Sequence, residues 1–211
     1  GQHGLNFYGQ YYGKMHDGSD YPAYDCTQPW VSCDMDVTSE EWAKAVNVRK
    51  AMNIAIDRQA LVDELLSGFG RVQSVRDWMG HDHRMNPDWN YDFDPVLAKQ
   101  MLVDAGYGDG FEVTLTPAIR SAPAEVESCH AVAQYWEDIG ISVKIQAIPY
   151  ATLRPTLITR NYNKARVNID FHLVETCSPY KVWRDDGKRY TVYTVRLVKG
   201  PKPEIKQRGR R

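Results

Sequence analysis

The most regular pattern of apolar positions in the chain lies in residues 48–70, VRKAMNIAIDRQALVDELLSGFG. Apolar residues recur there at spacings of three and four, as they do along one side of a helix: Val48, Ala51, Met52, Ala55, Ile56, Val62, Leu65 and Leu66. Asp57 can cap a new helix start, so two abutting helices are predicted as readily as one, and Gly68 supplies the end. The pattern is typical of a core-facing scaffold and contains no residue that suggests catalysis.

A second series of patterns predicts alternating helices and strands beyond residue 90. In YDFDPVLAKQMLVDAGYGDGFEVTL, Asp94 is a good N-cap, Pro95 suits the first helical position and Gly106 ends the helix. A strand is predicted over residues 111–116 and an alternating strand in ISVKIQAI, with Ile141, Val143, Ile145 and Ala147 on one face. Between them a helix is predicted over 123–138, with Val126, Cys129, Ala133 and Trp136 on one side. This order is typical of a crossover between parallel strands, so an α/β fold with a sheet flanked by helices is expected.

Weaker patterns complete the predicted order of elements. A strand is expected within residues 5–12, a long polar loop over 16–40, a short helix over 153–160 and a further strand over 168–174. The stretch YTVYTVRLV is compatible with a strand, whereas GPKPEIKQRGRR at the end is expected to be loose.

Composition and charge exclude some classes of protein and divide the chain. The 211 residues are 43% hydrophobic and 25% charged, and no apolar run approaches the ~20 residues of a membrane span. The sequence starts at Gly1 with neither an initiator Met nor a charged-then-apolar leader, so Gly1 is expected to be a cut end left by processing or fragmentation. The net charge of −1 hides an asymmetry, because residues 181–211 contain eleven of the 26 Lys and Arg but three of the 27 acidic residues. This basic tail is either an arm that seeks nucleic acid or membrane, or a solvated end that does not belong to the preceding domain.

The cysteines and histidines offer little chemistry. Cys26 and Cys33 bracket CTQPWVSC, where either a local disulfide, which would fit an oxidising compartment, or two free thiols are compatible with the sequence. Cys129 is expected in the core. The HDH of residues 81–83 is either a transition-metal ligand pair or a hydrated turn, and no metal site is predicted.

Enzymatic motifs are also missing from the sequence. GYGDGF lacks the glycine spacing of a dinucleotide-binding loop and ends a helix instead of opening one. No serine lies in a nucleophile elbow, no phosphate-binding loop is present, and no acidic residue has an evident acid–base partner. Neither an enzyme nor a cofactor is therefore predicted.

Three motifs together resemble the family 5 extracellular solute-binding proteins, the peptide- and nickel-type receptors of ABC importers. VRKAMNIAIDRQALVDELLSGFG is similar to the segment that opens the helical layer of the second lobe in that family. YDFDPVLAKQMLVDAGYGDGFEVTL and AVAQYWEDIGISVKIQAIPYATL resemble the next two elements, in the same order and at suitable spacing. The resemblance covers residues 42–160 well, and 1–12 and 161–178 loosely.

The resemblance implies a periplasmic-binding-protein-like type II lobe, with a mixed sheet flanked by helices and the first lobe absent. Residues 1–180 would form the second lobe, and 181–211 a divergent or poorly ordered basic tail. The implied function is the substrate-binding component of an ABC importer, which captures a peptide or other small solute between two lobes for a membrane permease. The implied location is periplasmic or extracellular, with contact to a membrane only through a lipid anchor or the permease, and no nucleic-acid partner.

The resemblance also indicates candidate ligand-binding residues. They lie in the early strand and in the stretch after the last crossover helix: Tyr8, Tyr11, Tyr12, Arg160, His172 and Glu175. The tyrosines can stack on a ligand or simply pack in a strand, and Arg160 can bind a carboxylate or be a surface charge. Glu175 stands near the place where peptide-binding members often have an Asp for the ligand ammonium group, a departure that argues against a peptide with a free amino terminus.

The alternative interpretation is a regulatory or sensory protein that combines a solute-binding lobe with a nucleic-acid-binding basic tail. The charge of residues 181–211 favours it, whereas the sequence contains no helix-turn-helix pattern to support it.

Overall fold

A computed structural model of the chain describes residues 2–7, 13–14, 17–20, 24–70, 72, 91–119, 124–159, 166–172, 179–183 and 189–193. These residues form helices and strands in the order β1 (Gln2–Phe7), α1 (Glu40–Ile54), α2 (Arg58–Leu65), α3 (Pro95–Asp104), β2 (Glu112–Ile119), α4 (Glu125–Asp138), β3 (Ser142–Ile145), β4 (Ile148–Pro149), α5 (Tyr150–Thr159), β5 (Arg166–His172), β6 (Pro179–Trp183) and β7 (Arg189–Tyr193).

The regular segment of residues 48–70 forms two helices, α1 and α2, and not one. The Asp57 side chain caps α2 by accepting a hydrogen bond of 2.9 Å from the backbone N–H of Ala60. Ser39 caps α1 in the same way through the N–H of Trp42, so this helix begins well before the segment does. Gly68, with φ +75°, follows α2 in the left-handed conformation that glycine adopts without strain.

Helix α3 has the termini that its sequence predicts. Asp94 accepts a hydrogen bond of 2.8 Å from the N–H of Leu97, and Pro95 occupies the first turn, where its missing N–H costs nothing. Gly106, with φ +88°, turns the chain out of the helix. The N–H of Asp94 also donates to the carbonyl of Ile54 at 2.8 Å, which ties the start of α3 to the end of α1.

The sheet is mixed, as the resemblance to the family implies. Its strand order is β1-β5-β2-β3, and β4 pairs with the end of β2. Strands β3, β4 and β5 all run parallel to β2, whereas β1 runs antiparallel to β5, so the predicted parallel crossover through α4 is confirmed. Strand β3 ends at Ile145. Ala147, which was expected on the same face of this strand as Val143 and Ile145, lies beyond the end of the strand and is exposed.

Strands β6 and β7 form a separate antiparallel pair, with Pro179 opposite Tyr193 and Trp183 opposite Arg189. Strand β6 crosses the expected boundary between the lobe and the basic tail at residue 180, and β7 covers the first four residues of YTVYTVRLV. The boundary between residues 180 and 181 itself stays a prediction.

The core lies between the sheet and the helices. Helix α4 packs on β2 and β3 and buries Cys129, Ala133 and Trp136, as its pattern predicts, while Val126 is only partly buried. The Trp136 indole N–H donates to the carbonyl of Met52 at 2.8 Å and so joins α4 to α1 across the core. A buried indole requires such a partner, because an unpaired polar group costs about 1–3 kcal/mol.

The segment predicted as a long polar loop contributes to this core. Trp30 and Val31 are buried, and the Trp30 ring meets Phe7 of β1 at 5.8 Å and Phe111 at 6.3 Å between centroids. The structure joins Cys26 and Cys33 in a disulfide, the pairing favoured by one of the two interpretations of the sequence. The polar composition of the segment did not indicate this contribution, because among its described residues only Trp30, Val31 and Ser32 are buried.

Candidate functional site

The connections of the sheet reverse direction at β2. Helix α4 carries the chain from β2 to β3 on one side of β2. Helix α5 then carries it from β4 to β5, which pairs with the other side of β2. Ligands of open α/β sheets bind outside the carboxyl ends of the strands at such a reversal, so the ends of β2 and β5 define the candidate site.

We call this region the carboxyl edge: Gln2, Ile119, Pro149, Tyr150 and His172. Ile119 and Pro149 pair side by side where β2 and β4 end, and Tyr150 begins α5 directly afterwards. Strand β5 ends at His172, whose partner in the register is Gln2 at the start of β1. The Ile119 side chain is 37% exposed, so an apolar group faces solvent at the site instead of the core.

Helix α4 begins at the same edge. Ala124 precedes it with φ +56°, a left-handed conformation that is strained for a residue with a Cβ. Glu125 follows and is only 3% exposed. Burial, and secondarily the Glu125 charge, raise the pKa of the Cys129 thiol to about 12, so this thiol is protonated and unreactive at neutral pH.

A row of polar residues crosses three strands just inside the carboxyl edge. In the register, Asn6 of β1 pairs with Asn168 of β5, which pairs with Thr116 of β2. Thr116 is fully buried, and its hydroxyl oxygen has no hydrogen-bond partner within the part of the chain that the structure describes. Along β2, the buried apolar residues Val113 and Leu115 are therefore followed by Thr116 in the polar row, and then by the exposed Ile119 at the end of the strand.

The structure places one of the six predicted ligand residues at this edge. His172 is the last residue of β5. Tyr8, Tyr11, Tyr12, Arg160 and Glu175 lie outside the described residues. Phe7, from which the chain continues to Tyr8, pairs with Val167 near the start of β5, so that end of β1 is five residues, or about 16 Å, from His172.

Sequence reasoning missed Ile119, Pro149 and Gln2. The strand was expected over residues 111–116, just before Pro117, and proline is rare in central strands. Pro117 nevertheless pairs with Ile169, and β2 continues to Ile119. A two-residue strand such as β4 has no periodicity by which it could be recognised.

A separate groove of about 430 Å³ lies at the other end of α4. Pro95, Val96, Lys99, Gln100 and Val103 of α3 line it together with Asp138.

Among the described residues, no group of three or more His, Cys, Asp and Glu side chains is arranged to hold a metal ion. The HDH of residues 81–83 lies outside them. In the same part of the chain, no helix combines the length and apolar character needed to cross a membrane.

Comparison with known proteins gives a consistent set of relatives. Heme-binding protein A of Haemophilus influenzae is 30% identical over 118 residues, which are 52% of this chain and 20% of that protein. Glutathione-binding protein GsiB of Salmonella choleraesuis is 33% identical over 116 residues, 54% of this chain and 22% of that protein. The chain thus spans about a fifth of the length of these relatives.

The fold is also found among solved structures. HbpA2 from Haemophilus parasuis superposes with a TM-score of 0.51 at 24% identity, over 80% of this chain and 30% of that one. The fold class predicted from sequence, a lobe of the periplasmic-binding-protein type, is confirmed. Residues 16–194 match the sequence profile of the bacterial extracellular solute-binding proteins, family 5 Middle. The protein is therefore a member of the family 5 extracellular solute-binding proteins.

Proposed function

We propose that the protein is the substrate-binding component of an ABC importer, which captures a peptide or other small solute between two lobes and delivers it to a membrane permease. The observation that carries the proposal is the family match over residues 16–194. The chain supplies one lobe, with the carboxyl edge as its half of the binding cleft.

The geometry of the edge suits binding better than chemistry. Ile119 is an exposed apolar residue beside the ends of two parallel strands, and the neighbouring strand β5 ends with a histidine, His172. Small-molecule sites combine apolar surface with a few convergent polar groups in this way. Family members are binding proteins, and we infer that this chain likewise performs no reaction and needs no cofactor.

The proposed ligand is a peptide or another small solute. The relatives bear the names heme-binding and glutathione-binding protein, so the family accommodates ligands of different chemistry. Arg160 is proposed to bind a ligand carboxylate, and Tyr8, Tyr11 and Tyr12 to stack on the ligand, with His172 and Glu175 as further contacts. The Glu175 position favours a solute other than a peptide with a free amino terminus.

A periplasmic or extracellular location, with a lipid anchor or the permease as the only membrane contact, follows from this role. The alternative, a regulatory protein with a nucleic-acid-binding tail, has less support. The family match continues into the basic segment as far as residue 194, and this is expected of a solute-binding protein and not of an appended arm.

Native mass spectrometry of the protein as its own host makes it tests the proposal first. A bound small molecule that leaves on unfolding is expected. A second test is a thermal-shift panel on the same protein with dipeptides, glutathione and heme, in which at least one solute should raise the melting temperature. A bare chain and an unchanged melting temperature with every solute would contradict the proposal.

Substitution at the carboxyl edge locates the site. Ile119→Asp should weaken binding of the responding solute at least tenfold, because a charge replaces apolar contact surface in the cleft. Val103→Asp on the outer face of α3 is the matched control, since Val103 is similarly exposed at 48% but lies in the separate groove. Equal affinities for the two variants would show that the carboxyl edge is not the binding site.

A further inference from the structure

The disulfide Cys26–Cys33 closes a short loop that inserts Trp30 into the core. The Trp30 ring packs edge-on against Phe7 of β1 and tilts against Phe111, the residue before β2. This loop, residues 26–33, is here called the Trp30 loop. It covers the start of the sheet with a side chain that neither a helix nor a strand supplies.

Hydrogen bonds fasten the Trp30 loop to α1. The Arg49 guanidinium donates to the carbonyl of Trp30, and the backbone N–H of Cys33 donates to Glu41 Oε1 at 2.6 Å. The Tyr24 hydroxyl donates to the carbonyl of Ser32 at 2.7 Å. The loop therefore connects α1 with β1 and β2, and its covalent closure limits how far Trp30 can withdraw.

The two bonded cysteines differ in environment. Cys26 is half-buried and packs against the core cluster, whereas Cys33 is exposed. Cys33 is therefore the more accessible of the two residues to a thiolate from solvent, because the core cluster partly covers Cys26. Exchange at a disulfide depends on access to the attacked sulfur, so this asymmetry decides where attack occurs.

We propose that the Cys26–Cys33 disulfide is a site of thiol–disulfide exchange with dithiol reductants, and that its state controls the packing of Trp30. A dithiol thiolate attacks Cys33 Sγ, the bond between the two sulfurs breaks, and Cys26 leaves as a thiolate that takes up a proton. The second thiol of the reagent then attacks the mixed disulfide and releases Cys33. Two electrons and two protons pass to the protein, and the dithiol becomes a cyclic disulfide.

Charge around Cys33 selects among reductants. Asp34 follows it in the chain, Asp36 lies two residues further, both are exposed, and the Glu41 carboxylate contacts its backbone. Because the attacking species is the thiolate, 2-mercaptoethanol attacks with one negative charge and 2-mercaptoethanesulfonate with two, so these carboxylates repel the second reagent more strongly at low ionic strength. We expect 2-mercaptoethanol to form the mixed disulfide several-fold faster than 2-mercaptoethanesulfonate, with the difference, corrected for the two reagents' thiol pKa values, lost in high salt.

Labelling of the full chain without denaturant tests access. After treatment with dithiothreitol, iodoacetamide should modify Cys26 and Cys33, as read from peptide masses. Cys129 is the internal control, because its buried thiol should stay unmodified in the same sample. Labelling of Cys33 only after urea is added would overturn the proposed exchange site.

The melting temperature tests the coupling to Trp30. Opening an eight-residue loop of this kind should lower it by about 5–10 °C. The Cys26→Ser/Cys33→Ser variant should melt like the reduced wild type and not respond to dithiothreitol. In Trp30→Ala, reduction should produce a clearly smaller shift, because no ring remains to be held. A reduced protein that melts like the oxidised one, or an undiminished shift in Trp30→Ala, would overturn the coupling. None of these readouts depends on the ligand of the proposed importer.

Discussion

The two ends of strand β2 have opposite surroundings. At its start, Val113 and Leu115 are buried beneath α4, where Trp136 reaches across to Met52 of α1. At its end, Ile119 is exposed beside Pro149 of β4. One strand thus anchors the lobe at one end and presents a surface at the other. Substitutions at the start should affect stability, and substitutions at the end should affect binding.

Trp136→Ala should destabilise the buried end of β2 more than any other substitution proposed here. Removal of this fully buried ring is expected to lower the free energy of unfolding by about 3–5 kcal/mol, from lost burial and the cavity that remains. Urea denaturation measures the loss. Trp136→Phe is the control, because it keeps a ring but leaves the Met52 carbonyl without its donor, and it should cost less than the alanine variant. A loss below 1 kcal/mol for Trp136→Ala would contradict the assignment of this residue to the core.

The buried end was also the part that the sequence predicted well. Asp57 and Asp94 cap their helices through short side chains that act on neighbouring backbone, so their effect could be inferred without knowledge of the tertiary structure. The burial of Cys129 and Trp136 followed from helical spacing alone.

The carboxyl edge could not be predicted in the same way. It forms where β2, β4 and β5 end together, and only their pairing register brings Ile119 next to Pro149 or His172 next to Gln2. Such residues are distant in sequence and share no periodicity. Trp30 escaped prediction for a related reason, since its burial depends on a loop held by Arg49, Glu41 and a disulfide.

Two glycines before the start of β2 allow the energetic effect of close packing to be measured separately from that of backbone conformation. Gly110 and Gly106 both have positive φ, +76° and +88°. A Cβ on Gly110 would lie 1.9 Å from the carbonyl oxygen of Gly140, whereas one on Gly106 would meet nothing within 4 Å. Gly106→Ala should cost about 1–2 kcal/mol from the left-handed conformation alone, and Gly110→Ala about 2–5 kcal/mol because overpacking is added.

Urea denaturation of both variants measures the difference. Similar losses of unfolding free energy at the two positions would show that the backbone of the α4–β3 turn shifts easily to make room for a Cβ. The start of β2 would then not be tightly packed, against the contrast drawn between its two ends.

Cys129 connects the two ends, because it lies in the buried part of α4 one turn beyond Glu125 at the carboxyl edge. Its pKa is raised to about 12 by burial first and by the Glu125 charge second. A raised pKa in the folded state stabilises the protein fully below the usual thiol pKa of about 9. This contribution is lost as the pH rises from about 9 to about 12, because the unfolded chain then releases the proton more readily. The difference in unfolding free energy between wild type and Cys129→Ala should therefore change by at most about 1.4 kcal/mol per pH unit in that window.

Glu125→Gln tests which cause dominates. Because burial is the larger cause, the pH at which iodoacetamide modifies Cys129 in the folded protein should fall only slightly in this variant and stay well above that of the urea-unfolded chain. Peptide masses report Cys129 separately from the other cysteines. Modification near the ordinary thiol pKa in Glu125→Gln would instead mean that the charge at the edge controls the thiol, and that the carboxyl edge and the core beneath α4 are electrostatically one region.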